Sequence, residues 1–203
     1  MAGPTVEFWQ QRFDSGQTPW DRGGTHPQLL QWLASGELHA GQSVLVPGCG
    51  RGHELVTLAQ HGLTVTGLDY TPAAVEAARQ QLQASKLPGA VELADVLAWQ
   101  AENPLDIVYE QTCLCALHPD HWQRYAGQLH AWLKPGGRLL ALLMQARRDN
   151  AAEGAVEGPP YHCDINAVRA LFPAARWDWP APPYLATPHS QGWRELAVVL
   201  TRR

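Results

Sequence analysis

The sequence predicts an α/β fold, with a mainly parallel sheet and helices on both faces. Three observations carry that expectation. Short β-branched and leucine runs alternate with stretches whose apolar residues recur every three or four positions. The run at 43–46 ends in Pro47 and breaks at once into "GCGRG" (48–52), a tight turn from a buried strand into a helix. The 203 residues, 45% of them hydrophobic, supply one domain with a core of ordinary size.

The elements follow in order. Residues 5–14 form a short helix carrying Val6, Trp9 and Phe13, and "SGQTPWDRGG" (15–24) is a turn. Pro27 opens a second helix with Leu29, Leu30 and Leu33 inward. After the strand at 43–46, residues 53–60 are helical, with Leu55, Leu58 and Ala59 on one face. Residues 64–68 are a strand, and Thr71 caps a helix opened by Pro72, with Val75, Ala78 and Leu82 inward. Strands follow at 91–93 and 106–109. Pro119 opens a helix with Trp122, Tyr125, Ala126, Leu129 and Leu133 at helical spacing. "KPGG" (134–137) stops it before a strand at 138–143. Asp164 caps a helix bearing Ile165, Val168 and Leu171, and 176–179 pairs with 196–201 to close the sheet. The loops are 145–163 and 180–192.

Composition excludes several classes. A net charge of −4 with 17% charged residues gives no basic face for nucleic acid. No run approaches the roughly 20 apolar residues of a membrane helix. The opening "MAGPTVEFWQQRF" has no basic segment followed by an apolar one, and four cysteines do not make a disulfide framework. The expectation is a reduced, cytoplasmic protein. Cys113, Cys115, His118 and His121 in "CLCALHPDH" lack the spacing of a zinc site, so no metal is expected.

In parallel sheets, ligands sit at the carboxyl ends of the strands. After the first strand, glycines at 48, 50 and 52 permit positive φ and close approach of a ligand, and the next helix aims free N–H groups there. After the second comes Asp69, 21 positions beyond Gly48, placed to accept both hydroxyls of a ribose. After the third come Asp95, suited to an adenine amino group, and Val96, suited to flank the ring. After the fourth come Glu110 and Gln111. The ligand is an adenosine derivative, either a dinucleotide or S-adenosylmethionine. A dinucleotide loop places its third glycine where His53 stands, which favours S-adenosylmethionine.

With these residues, "FWQQRF" (8–13), "PWDRGGTHP" (19–27), "LVPGCGRGHE" (45–54), "GLDYT" (67–71), "CAL" (115–117), "LKPGG" (133–137) and "GPPY" (158–161), the chain resembles the thiopurine S-methyltransferase family of class I S-adenosylmethionine-dependent methyltransferases, most of all its thiol and halide branch. The resemblance implies a Rossmann-like, seven-stranded sheet over 41–203 and an N-terminal lid and helices over 1–40, in one domain. It implies that Trp9, Phe13 and Trp20 cover the cofactor. Gly48 then lines its methionine part, Asp69 holds the ribose, Asp95 and Val96 the adenine, Cys49, Gly50 and Tyr70 also contact the cofactor, and Gln111 lies near it by the active centre. Tyr161 faces the substrate, and either it or Glu110 takes a proton or orients the nucleophile. Phe13 stands where the family often has tryptophan. Gln111 stands where the thiol and halide branch usually has tyrosine and the thiopurine branch arginine, which leaves the acceptor open among thiols, thiopurines, halides and selenium or tellurium species.

The implied chemistry is methyl transfer to a soft nucleophile, with a small thiol as the first choice. A non-catalytic cofactor-binding protein is the alternative from another class. Methylation of a large partner is disfavoured by the acidic balance, and a nicotinamide-dependent oxidoreductase by His53.

Overall fold

The computed structural model describes residues 3–148, 156–189 and 191–203. Its order is α1 (Val6–Asp14), α2 (Pro27–Ala34), β1 (Ser43–Pro47), α3 (His53–Gln60), β2 (Thr64–Asp69), α4 (Pro72–Ala84), β3 (Ala90–Leu93), β4 (Leu105–Gln111), α5 (Cys113–Ala116), a 3₁₀ turn (Pro119–His121), α6 (Trp122–Trp132), β5 (Leu133–Gln145), α7 (Ile165–Leu171), β6 (Trp177–Asp178), β7 (Leu185–Pro188) and β8 (Arg194–Arg202). Among the described residues no helix is long and apolar enough to cross a membrane.

The sheet runs β3-β2-β1-β4-β5-β8, parallel from β3 to β5 and antiparallel at β8. Its outer position is shared: β6 pairs with one end of β8 and β7 with the other. The expected seven strands are therefore seven positions holding eight strands. The chain moves outward from β1 to β3, then returns to place β4 on the other side of β1. That reversal opens a crevice at the carboxyl ends of β1 and β4.

Period-two alternation buries the sheet on both faces. Val44, Val46, Ile107, Tyr109, Leu140 and Leu142 meet Leu29 and Trp32 of α2, Leu55 and Leu58 of α3, and Val75, Ala78 and Leu82 of α4. Leu45, Val108, Leu139, Ala141 and Leu143 meet Tyr125, Leu129 and Trp132 of α6 and Val168 of α7. α2 turns Gln28, Leu29 and Trp32 inward, and Leu30, expected there, is exposed.

Three local expectations are corrected. Thr71 takes the cap position of α4, but its side chain makes no capping bond. "KPGG" does not precede β5 but bulges within it. Leu133 pairs with Leu105 and Arg138 with Ile107, so 134–137 loops out, and Leu133 belongs to the strand rather than to α6. Lys134 pairs there with Asp106, whose Oδ2 accepts from Ser43 N and Oγ at 2.9 Å each. The 113–116 segment forms the short helix α5, held by Glu110, whose Oε1 accepts Leu114 N–H at 2.6 Å.

Gly52 has φ +83 at the cap of α3, and an added Cβ lies 2.9 Å from Ala78 Cβ on α4. Left-handed strain and overpacking together cost about 2–4 kcal/mol. Gly52→Ala therefore lowers the melting temperature by about 5–10 °C. Gly16→Ala, at φ +70 with nothing within 4 Å, isolates the strain alone and falls by less in the same thermal scans.

Glu110 is buried, its Oε2 has no partner, and burial raises its pKa from 4.5 to about 7. The folded state therefore binds the proton more tightly than the unfolded state, and stability falls as pH rises from 4.5 to about 7. The ionised form costs about 3 kcal/mol above that window. Glu110→Gln keeps the acceptor for Leu114 N–H without the charge. Denaturant titrations are expected to show it more stable than the parent at pH 8, with the difference gone near pH 4.5.

Candidate active site

A cavity of about 320 Å³ opens at the carboxyl ends of β1, β2 and β4, beneath α1 and the 19–24 segment. Its floor begins where β1 becomes the glycine loop. Gly48, Gly50 and Gly52 all adopt positive φ, at 62°, 53° and 83°. The reasons differ. A Cβ at Gly48 lies 3.2 Å from Cys113 Sγ and one at Gly52 meets Ala78, so those two glycines serve the protein's own packing as well as the turn. Gly50 has open space, and its N–H donates to Asp69 Oδ2 at 3.1 Å. Cys49 N–H continues the ladder to Leu68 O at 2.9 Å, while its sulfur packs against Gly67 and burial pushes the thiol pKa well up.

Asp69 ends β2, buried at the cavity wall, and its Oδ1 accepts Thr71 N–H at 2.9 Å. Burial raises its pKa, opposed by the bonds from Thr71 and Gly50. Each oxygen keeps a further lone pair for a ligand hydroxyl. Beside it, Tyr70 reaches the N-terminal segment, donating to Pro4 O at 3.4 Å. Asp95 stands exposed at the rim with Oδ1 taken by Leu97 N–H at 2.8 Å, and Val96 is buried behind it.

Aromatic rings form the roof. Trp20 meets Trp9 edge-on at 5.2 Å and Phe13 at 6.0 Å. Asp21 fastens this roof to the glycine loop, pairing with Arg51 at 2.9 Å and His53 Nε2 at 3.0 Å and accepting Gly23 N–H at 2.8 Å. His26 caps α2 through Nδ1, which accepts Gln28 N–H, so the neutral ring carries its proton on Nε2 and donates to Glu195 Oε2 at 2.9 Å. Glu54 Oε1 accepts His26 N–H at 3.0 Å.

At the end of β4, Tyr109 Oη donates to Gln111 Oε1 at 2.7 Å. Burial drives the Tyr109 pKa well up, so its hydroxyl keeps the proton and fixes the Gln111 amide with its NH₂ turned away. Thr112 follows at φ 62, a strained conformation for a β-branched residue. Gln111 and Thr112 both line the cavity.

All eleven residues expected at the cofactor, Trp9, Phe13, Trp20, Gly48, Cys49, Gly50, Asp69, Tyr70, Asp95, Val96 and Gln111, line this one cavity. The two expected to act on the acceptor do not. Glu110 points to the opposite face of β4 from Tyr109 and Gln111 and is spent on α5. Tyr161 is buried under the 158–160 loop, its N–H on Cys115 O at 2.7 Å and its ring edge-on to His118 at 5.3 Å, while Pro159 and Pro160 present the loop to the cavity. Sequence reasoning missed Arg22, Arg51, Thr112, Met144, His189, Gln191 and Trp193, which also line it. Arg22 and Arg51 lay inside quoted motifs. The others arrive from loops and strand ends without a local pattern. Cys113 and Cys115 are buried in α5 with their thiol pKa values pushed up by burial, and His118 caps the 3₁₀ turn.

The residues fit S-adenosylmethionine by their chemistry: a fixed carboxylate for vicinal hydroxyls, a second acid at the rim, and aromatic rings for a sulfonium. Comparison with known proteins agrees. Residues 4–179 match the family model for thiopurine S-methyltransferase. A probable thiol methyltransferase 2 of Arabidopsis thaliana is 31% identical over 168 residues, covering 81% of this chain and 70% of that protein. Thiocyanate methyltransferase 1 of Brassica oleracea is 30% identical over 166 residues, with 81% and 70% covered. The fold is shared with the Burkholderia thailandensis 1,6-didemethyltoxoflavin-N1-methyltransferase crystallised with S-adenosylhomocysteine, at TM-score 0.74 and 19% identity over 97% of this chain and 86% of that one. The chain thus belongs to the thiopurine S-methyltransferase family and is an S-adenosylmethionine-dependent methyltransferase.

Proposed function

We propose that the protein transfers a methyl group to a small soft nucleophile, a thiol first among them, within a single domain whose first 40 residues supply the lid and the N-terminal helices. The observation that carries this reading is the joint placement of Asp69, fixed by Gly50 N–H, and the Trp9–Trp20 pair around one cavity. The names of the thiol and thiocyanate methyltransferase relatives support the choice of acceptor. Free, buried cysteines fit the reducing cytoplasm.

S-adenosylmethionine supplies an electrophilic methyl carbon on a cationic sulfur. Asp69 accepts the ribose hydroxyls, with Tyr70 beside it. Asp95 takes the adenine amino group and Val96 packs on the ring. Trp9, Phe13 and Trp20 shield the cation from water, their ring faces attracting it. Gly48, Cys49 and Gly50 turn backbone toward the methionine part. Gln111, its amide fixed by Tyr109, offers an N–H to the sulfur of the incoming thiolate. A dedicated base is dispensable, because a thiol of pKa about 8.5 is a few per cent thiolate near pH 7. That matches the positions of Glu110 and Tyr161 away from the cavity. Orientation supplies the acceleration, about 7–11 kcal/mol in well-aligned systems.

Incubation with S-adenosylmethionine and a panel of thiols, thiopurines and halides is expected to release S-adenosylhomocysteine fastest with thiols. Asp69→Ala raises the cofactor Kd by at least about tenfold, read by calorimetry. Tight cofactor binding with no turnover on any acceptor would instead favour a non-catalytic binding protein.

Tyr109→Phe frees the Gln111 amide to rotate. It lowers kcat/KM for thiols by about 3–10-fold and leaves cofactor affinity unchanged. An equal loss in cofactor affinity would mean that the pair serves binding rather than the nucleophile.

A further inference from the structure

The cavity has two ends built by different strands. The acids suited to adenosine stand at the ends of β2 and β3, beside the glycine loop after β1. Across Gln111, at the end of β4, the wall comes instead from Met144 on β5, from His189 and Trp193 flanking β8, and from Arg22.

Arg22 is held unusually firmly for a side chain in a loop. Its Nη2 donates to Glu195 Oε2 at 2.8 Å and to Pro188 O at 3.2 Å. Glu195, on β8, is fully buried, and its Oε2 also takes the bond from His26 Nε2. Those bonds use both Nη2 hydrogens and leave three N–H bonds on Nε and Nη1. Among the described residues nothing accepts from these two atoms, and they remain accessible in a residue that lines the cavity.

The other cavity arginines are placed differently. Arg12 packs over Phe8 at 4.4 Å, and Arg51 is paired with Asp21 by the glycine loop. Burial lowers the pKa of His189, which lies beside Arg22. Of the three arginines that line the cavity, Arg22 is thus the one at the β5–β8 end; Arg148, just past β5, lies over the Trp193 ring at 5.8 Å and is paired with Glu157 at 3.8 Å. Among the described residues the nearby carboxylates are engaged, Glu195 by Arg22 and His26 through Oε2, with Oε1 buried and unpartnered, and Glu54 by His26 N–H.

We infer that Arg22, braced by Glu195, is a specificity-determining residue that binds an anionic oxygen group on the acceptor, so that the preferred substrate is a small thiol carrying a carboxylate. This rests on the methyltransferase reading above and names its substrate class. The bond to the ligand is charge-assisted and shorter and stronger than a neutral one. Preorganisation by Glu195 and Pro188 O removes the side-chain ordering cost that a free arginine would bear.

The test compares 3-mercaptopropionate with 3-mercaptopropan-1-ol, near-equal in size and differing in charge. Binding of each to the S-adenosylhomocysteine-loaded protein is followed by tryptophan fluorescence. The acid is expected to bind about tenfold tighter than the alcohol. Arg22→Gln alone leaves Glu195 buried without its cation, so the variant of choice is Arg22→Gln with Glu195→Gln, which keeps a neutral hydrogen-bonding pair. It is expected to reduce the preference to within about twofold while S-adenosylmethionine affinity stays within about threefold. Equal affinities for acid and alcohol in the unmodified protein overturn the inference, with no variant needed. So does a double variant that keeps the preference, or one that loses cofactor affinity instead, which would assign Arg22 to the methionine carboxylate. The readout is binding, so failure to methylate any thiol would count against the proposed reaction and not against this assignment.

Discussion

The site hangs on one hydrogen bond from the glycine loop after β1 to the last residue of β2: Gly50 N–H to the Asp69 carboxylate. β1 and β2 are in register from Ser43 opposite Thr64 to Pro47 opposite Leu68, and Cys49 N–H extends the ladder by one more bond. The chain can leave the sheet only after Cys49, and it must then reverse within three residues to start α3. Positive φ at Gly50 aims that N–H back at the end of β2. The same carboxylate accepts Thr71 N–H at the start of α4. One buried acid therefore sets where two helices begin and where the cavity floor lies. Its burial is unfavourable to the charge, and the two N–H bonds offset that.

The roof is anchored with the same economy, from the short "PWDRGGTHP" segment. Asp21 ties it to the glycine loop through Arg51 and His53, and Arg22 and His26 tie it to β8 through Glu195. The two anchors pull on strands at opposite sides of β4, so the 19–27 segment spans the crevice. A buried ion pair such as Arg22–Glu195 contributes little net stability against apolar alternatives, because desolvation cancels much of the attraction. Its worth here is positional: with the Asp21 and His26 bonds and the ring contacts of Trp9, Phe13 and Trp20, it fixes one geometry for the segment.

Much of this was legible in the residues, and the failures have physical causes. The helix at 53–60 carries the same bounds in structure as in pattern, because a glycine turn precedes it and its apolar face is unambiguous. The place of Asp69 at the cavity wall was legible because an acid that ends a strand 21 residues past the first glycine stands beside the turn after the neighbouring strand. Glu110 was misread because adjacency in sequence says nothing about side. In a strand its neighbours Tyr109 and Gln111 share one face and Glu110 takes the other. Tyr161 was misread because the preceding prolines, not the tyrosine, reach the cavity. β7 lay hidden in a proline-rich stretch, since a short edge strand needs no internal pattern when β8 supplies its partners. The clasp on Glu195 joins residues 169 or more apart in sequence, beyond any local signal.

The division of the cavity explains why cofactor and acceptor are legible to different degrees. The end proposed for the cofactor is made by turns that directly follow β1, β2 and β3, so each proposed determinant sits beside its own strand in sequence. The end proposed for the acceptor is assembled from β4, the far end of β5, the loop before β8 and a segment near residue 22. A change at position 22, 111 or 195 alters charge or hydrogen bonding at that end without touching the Gly50–Asp69 bond. Acceptor choice is thus free to vary while the cofactor site is held by backbone geometry, and family membership fixes the methyl donor more firmly than the atom that receives the methyl group.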